Sequence, residues 1–311
     1  MGCYEQLTIE ERVTIGCMKE LGYSQNQIGR HLGRNRSTIS REISRCEGKY
    51  SANRAQRDAM ESRRRRGRKS ILRRDDTLRK QIEELLWKYL SPEQISGRMK
   101  VEGHDSVSYA TIYRAIEKGL LSKERLRIKG KRYRKGHQGG CGHLTIEHSI
   151  HDRPSDTREE SGHWESDTVL GKAGTGVIAT YVERRSRYVV MEKLEYRRAT
   201  EYTDKTIERF EGMRIRSLTV DNGKEFSQYK RIQDSLGARV YFCDPGMPGQ
   251  RGTNENTNGL IRQFYPKLSS LKNVTQTNLT KVEKLLNMRP RKCLNYKTPY
   301  EVFHEQVLHL I

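Results

Sequence analysis

The chain has no Cys-x-x-Cys pair: Cys3, Cys17, Cys46, Cys141, Cys243 and Cys293 are scattered along 311 residues. That spacing argues against a zinc ribbon, and Cys141 with His143 is too isolated a pair to count as a metal site. No apolar run approaches the ~20 residues of a membrane-crossing helix, and no leader pattern opens the chain. A reducing cytoplasmic setting without a membrane partner is therefore expected. Acidic residues are scarce relative to basic ones, 39 against 60, for a net charge of +21. A surplus of that size calls for a polyanionic partner. It is concentrated at the front: residues 1–150 carry 33 basic and 18 acidic residues (+15), residues 151–311 only 27 and 21 (+6). A front half that binds nucleic acid, followed by something else, is the organisation this implies.

Helical periodicity in the front half sets it apart from a basic tail. Residues 8–21 read as an amphipathic helix with Ile9, Val13, Met18 and Leu21 at helical spacing, Thr8 as N-cap and Glu11 three residues on. Gly22 ends it. Ser24 caps a second short helix with Ile28 and Leu32 inward, and a third begins near Arg36 and Ser37 and runs through Ile39 and Ile43. Within residues 1–50 this is the order of a trihelical DNA reader, with Arg36, Ser37, Thr38, Ser40 and Arg41 as its contact residues. An ordinary three-helix bundle with a solvated polar face is the alternative. Residues 51–74, including RRRRGRK (63–69), read as a basic linker, solvated until it meets phosphate. A second helical unit spans 75–122, where Leu78, Ile82, Leu85 and Leu86 pattern one helix and Pro92 opens the next. Its third helix, in SYATIYRAIEKGLL (108–121), offers Ser108, Tyr109, Thr111, Arg114 and Lys118 as contacts if the unit is a second helix-turn-helix; scaffold or dimer contact is the other reading. Residues 123–158, basic and Gly-rich with Tyr133 among the charges, read as a linker that tracks a DNA backbone.

From about residue 160 strand and helix alternate. VIATYVERRSRYVVMEKL (177–194) has a hairpin pattern, TEYTDKTIERFEGM (200–213) is helical, a strand precedes Asp221, and ARVYFC (238–243) is a further strand. Three acidic residues stand in structured contexts: Asp167 in GHWESDTVLG, Asp221 in the tight turn of TVDNGKEF, and Glu255 in QRGTNENTNGLIRQF. Carboxylates at strand ends and on a helix, in so basic a protein, suggest Mg²⁺ held against a phosphodiester. Two such ions serve both ends of an in-line displacement, with Mn²⁺ able to substitute. Asp167 is then the bridging ligand, Asp221 the second, and Glu255 the one that orients an ion and its water. His163 is a poorer Mg²⁺ ligand and is expected to pack or touch DNA. Arg262, two turns beyond Glu255, and Arg251 and Lys224 are candidate phosphate contacts. Asn254, Asn256 and Asn258 either bond DNA or cap the helix.

The words GHWESD, TVDNGKEF and QRGTNENTNGLIRQFYPK resemble the catalytic blocks of the insertion-sequence-thirty family of bacterial transposases. NMRPRKCLNYKTPYEVF (287–303) resembles the segment that follows them, and residues 4–43 resemble the family's helix-turn-helix. The resemblance spans nearly the whole chain. It implies a multidomain protein: an all-α helix-turn-helix N-terminal region, then an α/β ribonuclease H-like catalytic domain (159–311) with a C-terminal helical tail. It also implies a DDE enzyme that binds terminal inverted repeats, cuts and transfers strands into target DNA, and works as a dimer or higher multimer at the bacterial nucleoid. Ser166 stands where the family usually has Gly, and Gly249 where Trp is common. Three other readings compete: a tyrosine recombinase, a catalytically inactive DNA-binding regulator, and a ribonuclease or resolvase on the same fold. No tyrosine stands in the Arg and His constellation the first requires, and three intact carboxylates argue against the second. Two DNA readers make RNA a poor substrate for the third.

Overall fold

Thr8 starts the first helix through a reciprocal box, its hydroxyl accepting from the Glu11 N–H while the Glu11 carboxylate accepts from the Thr8 N–H. Ser24 repeats the device with Gln27. The structure, a computed structural model, describes residues 5–66, 70–104, 106–127 and 147–310. The expectations for Gly67–Lys69, and for the basic stretch 128–146 with Tyr133, Cys141 and His143, lie outside the described residues. The chain divides into two compact units, Met1–Arg74 and Asp75–Ile311.

The first unit holds α1 (Ile9–Glu20), α2 (Gln25–His31), α3 (Arg36–Ile43), α4 (Ala52–Arg66) and α5 (Ile71–Arg74). Its core gathers Leu7, Ile15, Ile28, Ile39, Cys46, Tyr50 and Ala55. The structure of this unit departs from two expectations. The inward face of α1 is Arg12 and Ile15, while Val13 and Leu21 are exposed. Arg12 takes a core position because Glu42 pairs with it at 2.6 Å, and Gln56 and the Leu7 carbonyl accept its other donors. A charged residue in the buried stripe hid the true face. The second departure concerns residues 52–66, read as part of a linker: they form α4. Ala, Gln, Glu and Arg are strong helix formers, and Ala55 gives the helix an anchor against the core.

The second unit opens with α6 (Asp76–Trp87), α7 (Pro92–Val101) and α8 (Tyr109–Glu117). Leu78, Ile82, Leu85 and Leu86 are buried as their spacing predicts, and Ser91 caps α7 with Pro92 in its first turn. There follow β1 (His163–Leu170), β2 (Val177–Glu183), β3 (Val189–Leu194), α9 (Ala199–Phe210), β4 (Ser217–Val220), α10 (Tyr229–Leu236), β5 (Arg239–Phe242), α11 (Gly252–Ile261), α12 (Gln276–Asn287) and α13 (Pro299–His304). The strands form one sheet in the order β3-β2-β1-β4-β5, with β1, β2 and β3 antiparallel and β1, β4 and β5 parallel.

Both faces of the sheet are covered, and strand parity decides which residue goes where. Trp164, Ala179, Tyr181, Val190 and Leu218 join a core with Tyr202 and Phe210 of α9 and Ile232 of α10. Val169, Ile178, Val182 and Met191 join the opposite core with Leu260 and Ile261 of α11 and Leu279 and Leu286 of α12. On β1, Asp167 shares parity with Val169 and so faces α11.

The C-terminal segment is clasped by the helices at the start of this unit. A Cβ on Gly97 would stand 2.3 Å from the Tyr296 ring, so α7 needs glycine where the two meet. Next to it, the buried Arg98 guanidinium donates to both Glu301 oxygens at 2.7 and 2.9 Å, to Glu102 at 2.6 Å, and to the Leu308 carbonyl. Among the described residues no helix is long and apolar enough to cross a membrane.

Candidate active site

Asp167 and Asp221 are brought level by strand register. β1 and β4 run parallel with His163 opposite Ser217, Trp164 opposite Leu218 and Glu165 opposite Thr219. The same offset carried two residues further sets Asp221, just past the end of β4, beside Asp167. The carboxyl ends of parallel strands are where open α/β sheets place their sites. The turn after Asp221 is held by the Gly223 N–H, which donates to Asp221 Oδ1 at 2.9 Å. Glycine is needed there for space: a Cβ would stand 2.4 Å from Glu225 Oε2 and 2.9 Å from that same Asp221 oxygen.

One guanidinium spans the pair. Arg251, at the N-cap of α11, lies 3.3 Å from Asp167 Oδ1 and 2.9 Å from Asp221 Oδ2, and donates to the Ser166 carbonyl at 2.9 Å. Burial works against its charge, but Asp167 and then Asp221 outweigh that and raise its pKa. Arg251, expected at a DNA phosphate, is therefore turned inward as counter-ion to two carboxylates. Asn258 donates to Asp167 Oδ2 at 3.1 Å. Asn254, fully buried, pins α11 to the sheet: its side-chain amide donates to the Glu165 and Thr180 carbonyls, and its backbone N–H donates to the Glu165 carboxylate. Thus Asn254 and Asn258 hold the helix in place rather than cap it, and Asn256 is exposed.

Glu255 is exposed and shares with Arg251 and Asn258 the helix face turned toward the aspartates. It makes no hydrogen bond or ion pair with either aspartate. Among the described residues no three His, Cys, Asp or Glu side chains stand as a metal-holding cluster; the Arg251 guanidinium takes the space between the two aspartates. Arg262 is half-buried, and its guanidinium donates to the Leu170 carbonyl at 2.8 Å. Burial depresses its pKa, and Asp167 is the anion that offsets this. His163 packs: its Nδ1 lies 2.7 Å from Ser217 Oγ across the two strands.

The two departures from the family words have simple settings. Ser166 points away from the aspartates, and its hydroxyl bonds the buried Tyr202 hydroxyl at 2.7 Å. Gly249 is exposed, and a Cβ there would meet nothing within 4 Å. Sequence reading missed Glu225, whose buried carboxylate accepts from Thr168 and Arg197 beside the Asp221 turn. Its signal was the DNGKEF word itself, which places a second acid four residues after Asp221.

In the first unit Arg36, Ser37 and Arg41 are exposed on α3, and Thr38 and Ser40 are half-buried. Asn35 caps this helix, accepting from both the N–H and the hydroxyl of Ser37. On α8, Tyr109, Arg114 and Lys118 are exposed, while Ser108 is the N-cap and bonds Thr111.

Residues 3–45 match a helix-turn-helix domain model, and residues 157–248 match the integrase core domain model. The chain is 37% identical over 315 residues to the transposase for insertion sequence element IS4351 of Bacteroides fragilis, covering 97% of this chain and 96% of that protein. It is also 37% identical over 327 residues to transposase InsI for insertion sequence element IS30A of Escherichia coli (strain K12), covering 97% and 84%. The catalytic core domain of BIV integrase aligns to 47% of this chain and 95% of its own at 20% identity, with a TM-score of 0.38. A helix-turn-helix ahead of an integrase-type core, with Asp167 within β1 beside Asp221 at the end of β4, defines a DDE-type transposase. The chain belongs to the IS30 family of insertion-sequence transposases.

Proposed function

We propose that this protein binds the terminal inverted repeats of an insertion sequence and performs strand cleavage and strand transfer at Asp167, Asp221 and Glu255. The observation that carries the reading is the level pair of aspartates sharing one cation. Two hard oxygen donor groups that already hold a guanidinium between them suit a divalent cation of the Mg²⁺ class, with Mn²⁺ as substitute. Asp167 and Asp221 would hold it, with Glu255 on the facing helix. When bound, a pair of such ions neutralises charge on the phosphoryl oxygens and activates the attacking water.

The chain's own residues prepare the site. Asn258 and the Gly223 N–H fix the orientation of the two aspartates, and Asn254 fixes α11 against β1 and β2. Water attack on phosphorus breaks the P–O3′ bond and leaves a 3′-hydroxyl and a 5′-phosphate. That hydroxyl then attacks a phosphodiester of a second strand and displaces its 3′-oxygen. Holding two element ends together requires at least two copies of the chain, and the work is done at the nucleoid.

The test is incubation of the full chain with duplex DNA carrying candidate terminal repeats, with Mg²⁺ or with EDTA. Nicking that needs Mg²⁺ and exposes a 3′-hydroxyl is expected. Metal-independent cutting through a covalent protein–DNA adduct would overturn the reading in favour of a tyrosine recombinase.

A second expectation concerns the exposed face of α3. Arg36→Ala and Arg41→Ala should weaken repeat binding, a base-reading arginine by roughly 1–3 kcal/mol with relaxed preference at one position. Unchanged affinity and sequence preference in both variants, by mobility shift at fixed salt, would remove α3 from the groove.

A further inference from the structure

A second basic site lies on the other flank of α11. At 100° per residue, Thr253, Asn256 and Thr257 point away from the face that carries Arg251, Glu255 and Asn258. They line a cavity of about 250 Å³ together with three arginines, Arg158, Arg187 and Arg291. Among the described residues none of these arginines pairs with a carboxylate.

Arg291 is 8% exposed, and although its Nη2 donates to the Leu286 carbonyl at 3.2 Å, its buried Nε–H has no partner. Arg187 donates to the Thr253 hydroxyl at 2.6 Å, and its buried Nε–H is likewise unpartnered. Its backbone stands at φ +64° in the turn between β2 and β3, where its N–H donates to the Glu183 carbonyl at 2.9 Å. The electrostatics agree. Burial first, then repulsion from Arg289, pushes Arg291 down to about 9, with Arg127 and Arg187 adding to the effect and Cys293 opposing it. Burial and Arg127 bring Arg289 down to about 10.

Buried cations without counter-ions work against folding, so such a cluster needs a purpose outside stability. The cavity also has donors an anion requires: the guanidinium forks and the Thr253 hydroxyl, whose oxygen accepts from Arg187. We propose that this cavity seats a DNA backbone phosphate, distinct from the phosphate at Asp167 and Asp221, with Arg291 and Arg187 as its principal ligands. The inference rests on the DNA-cutting reading above and adds to it a place where the strand is gripped on the far side of the same helix. A structural role alone would leave the cations unmatched; a site for a free anion would answer to phosphate but not to DNA.

The experiment uses the full chain, Arg291→Gln and Arg187→Gln. Duplex DNA affinity is measured across a potassium chloride series, and thermal midpoints are measured with inorganic phosphate against chloride at equal ionic strength. Each variant is expected to bind DNA roughly tenfold more weakly. Each should also show a shallower dependence of log K on log salt, by about 0.9 for one lost phosphate contact. Phosphate should raise the midpoint of the parent chain by more than it raises that of either variant. Without phosphate, Arg291→Gln should melt no lower than the parent, because an unmatched buried cation has been removed. Should that variant fail to fold, Arg187→Gln gives the same two readouts. A folded variant with the parental salt slope would overturn the proposal; if only the phosphate response were lost, the site would belong to a free anion and the DNA assignment would fall. Both binding readouts are independent of cutting, so absence of Mg²⁺-dependent nicking would count against the catalytic reading and leave this one standing on its own result.

Discussion

Asp167→Asn and Asp221→Asn should each lower Mg²⁺-dependent strand cleavage by roughly a thousandfold or more while leaving DNA binding near the parental value. An amide of the same shape keeps the packing and gives up the charge that attracts a divalent cation. Each single variant should also fold, because Arg251 retains the other aspartate as its partner. The double variant removes both partners of a guanidinium that is 8% exposed, so it should lose stability as well as activity. Glu255→Gln has no such structural cost, since the side chain is exposed and bonded to neither aspartate. Cleavage of a labelled duplex, read beside the thermal midpoint of each variant, separates the two effects. Any of the three single variants that folds and still cuts at the parental rate removes its residue from the site.

The second large effect concerns the clasp on the C-terminal segment. Glu301→Gln leaves the buried Arg98 guanidinium with Glu102 as its remaining carboxylate, and the loss should be about 1–3 kcal/mol in denaturant unfolding at neutral pH. Burial pushes the Glu301 pKa up, but the Arg98 bond and the backbone donors of Thr298 and Leu308 outweigh it and hold it down to about 2. A folded-state value below the unfolded one stabilises the protein above the ordinary carboxylate range, and that stabilisation is lost as pH falls toward 2. The parent and the variant should therefore converge in stability through acid pH. A gap that stays constant from pH 7 to pH 3 would show that charge is not what Glu301 contributes.

Local signals carried much of this molecule into view. The capping residues Thr8 and Ser24 each begin a helix as their spacing predicts, whereas Ser108, read as a DNA contact, is the N-cap of α8. The alternation of β1 is enough to send Asp167 and Val169 to one face and Trp164 and Ser166 to the other. What stayed hidden depends on partners far along the chain. Nothing near Arg12 announces that Glu42, thirty positions away, will draw it into a core. Nothing near Arg251 shows that it will pair with two aspartates, because one stands within β1 and the other just past the end of β4. Asn254 presented the same difficulty: its amide suits DNA, a helix cap or strand carbonyls equally, and only the arrival of β1 and β2 selects the last. The cluster at Arg187 and Arg291 is assembled from a hairpin and a segment a hundred residues later, so no window of sequence contains it.

The clasp between Arg98 and Glu301 joins positions 203 apart, and it also sets an order in time. Residues of the first unit are synthesised early and find their core partners among themselves, from Leu7 to Ala55. The second unit cannot complete its packing until residues 296–308 leave the ribosome, because Tyr296, Glu301 and the Leu308 carbonyl are what α7 closes upon. A nascent chain therefore holds a finished DNA-reading unit before it holds a finished cutting one, and a chain that stops short of Glu301 has the former without the closure of the latter.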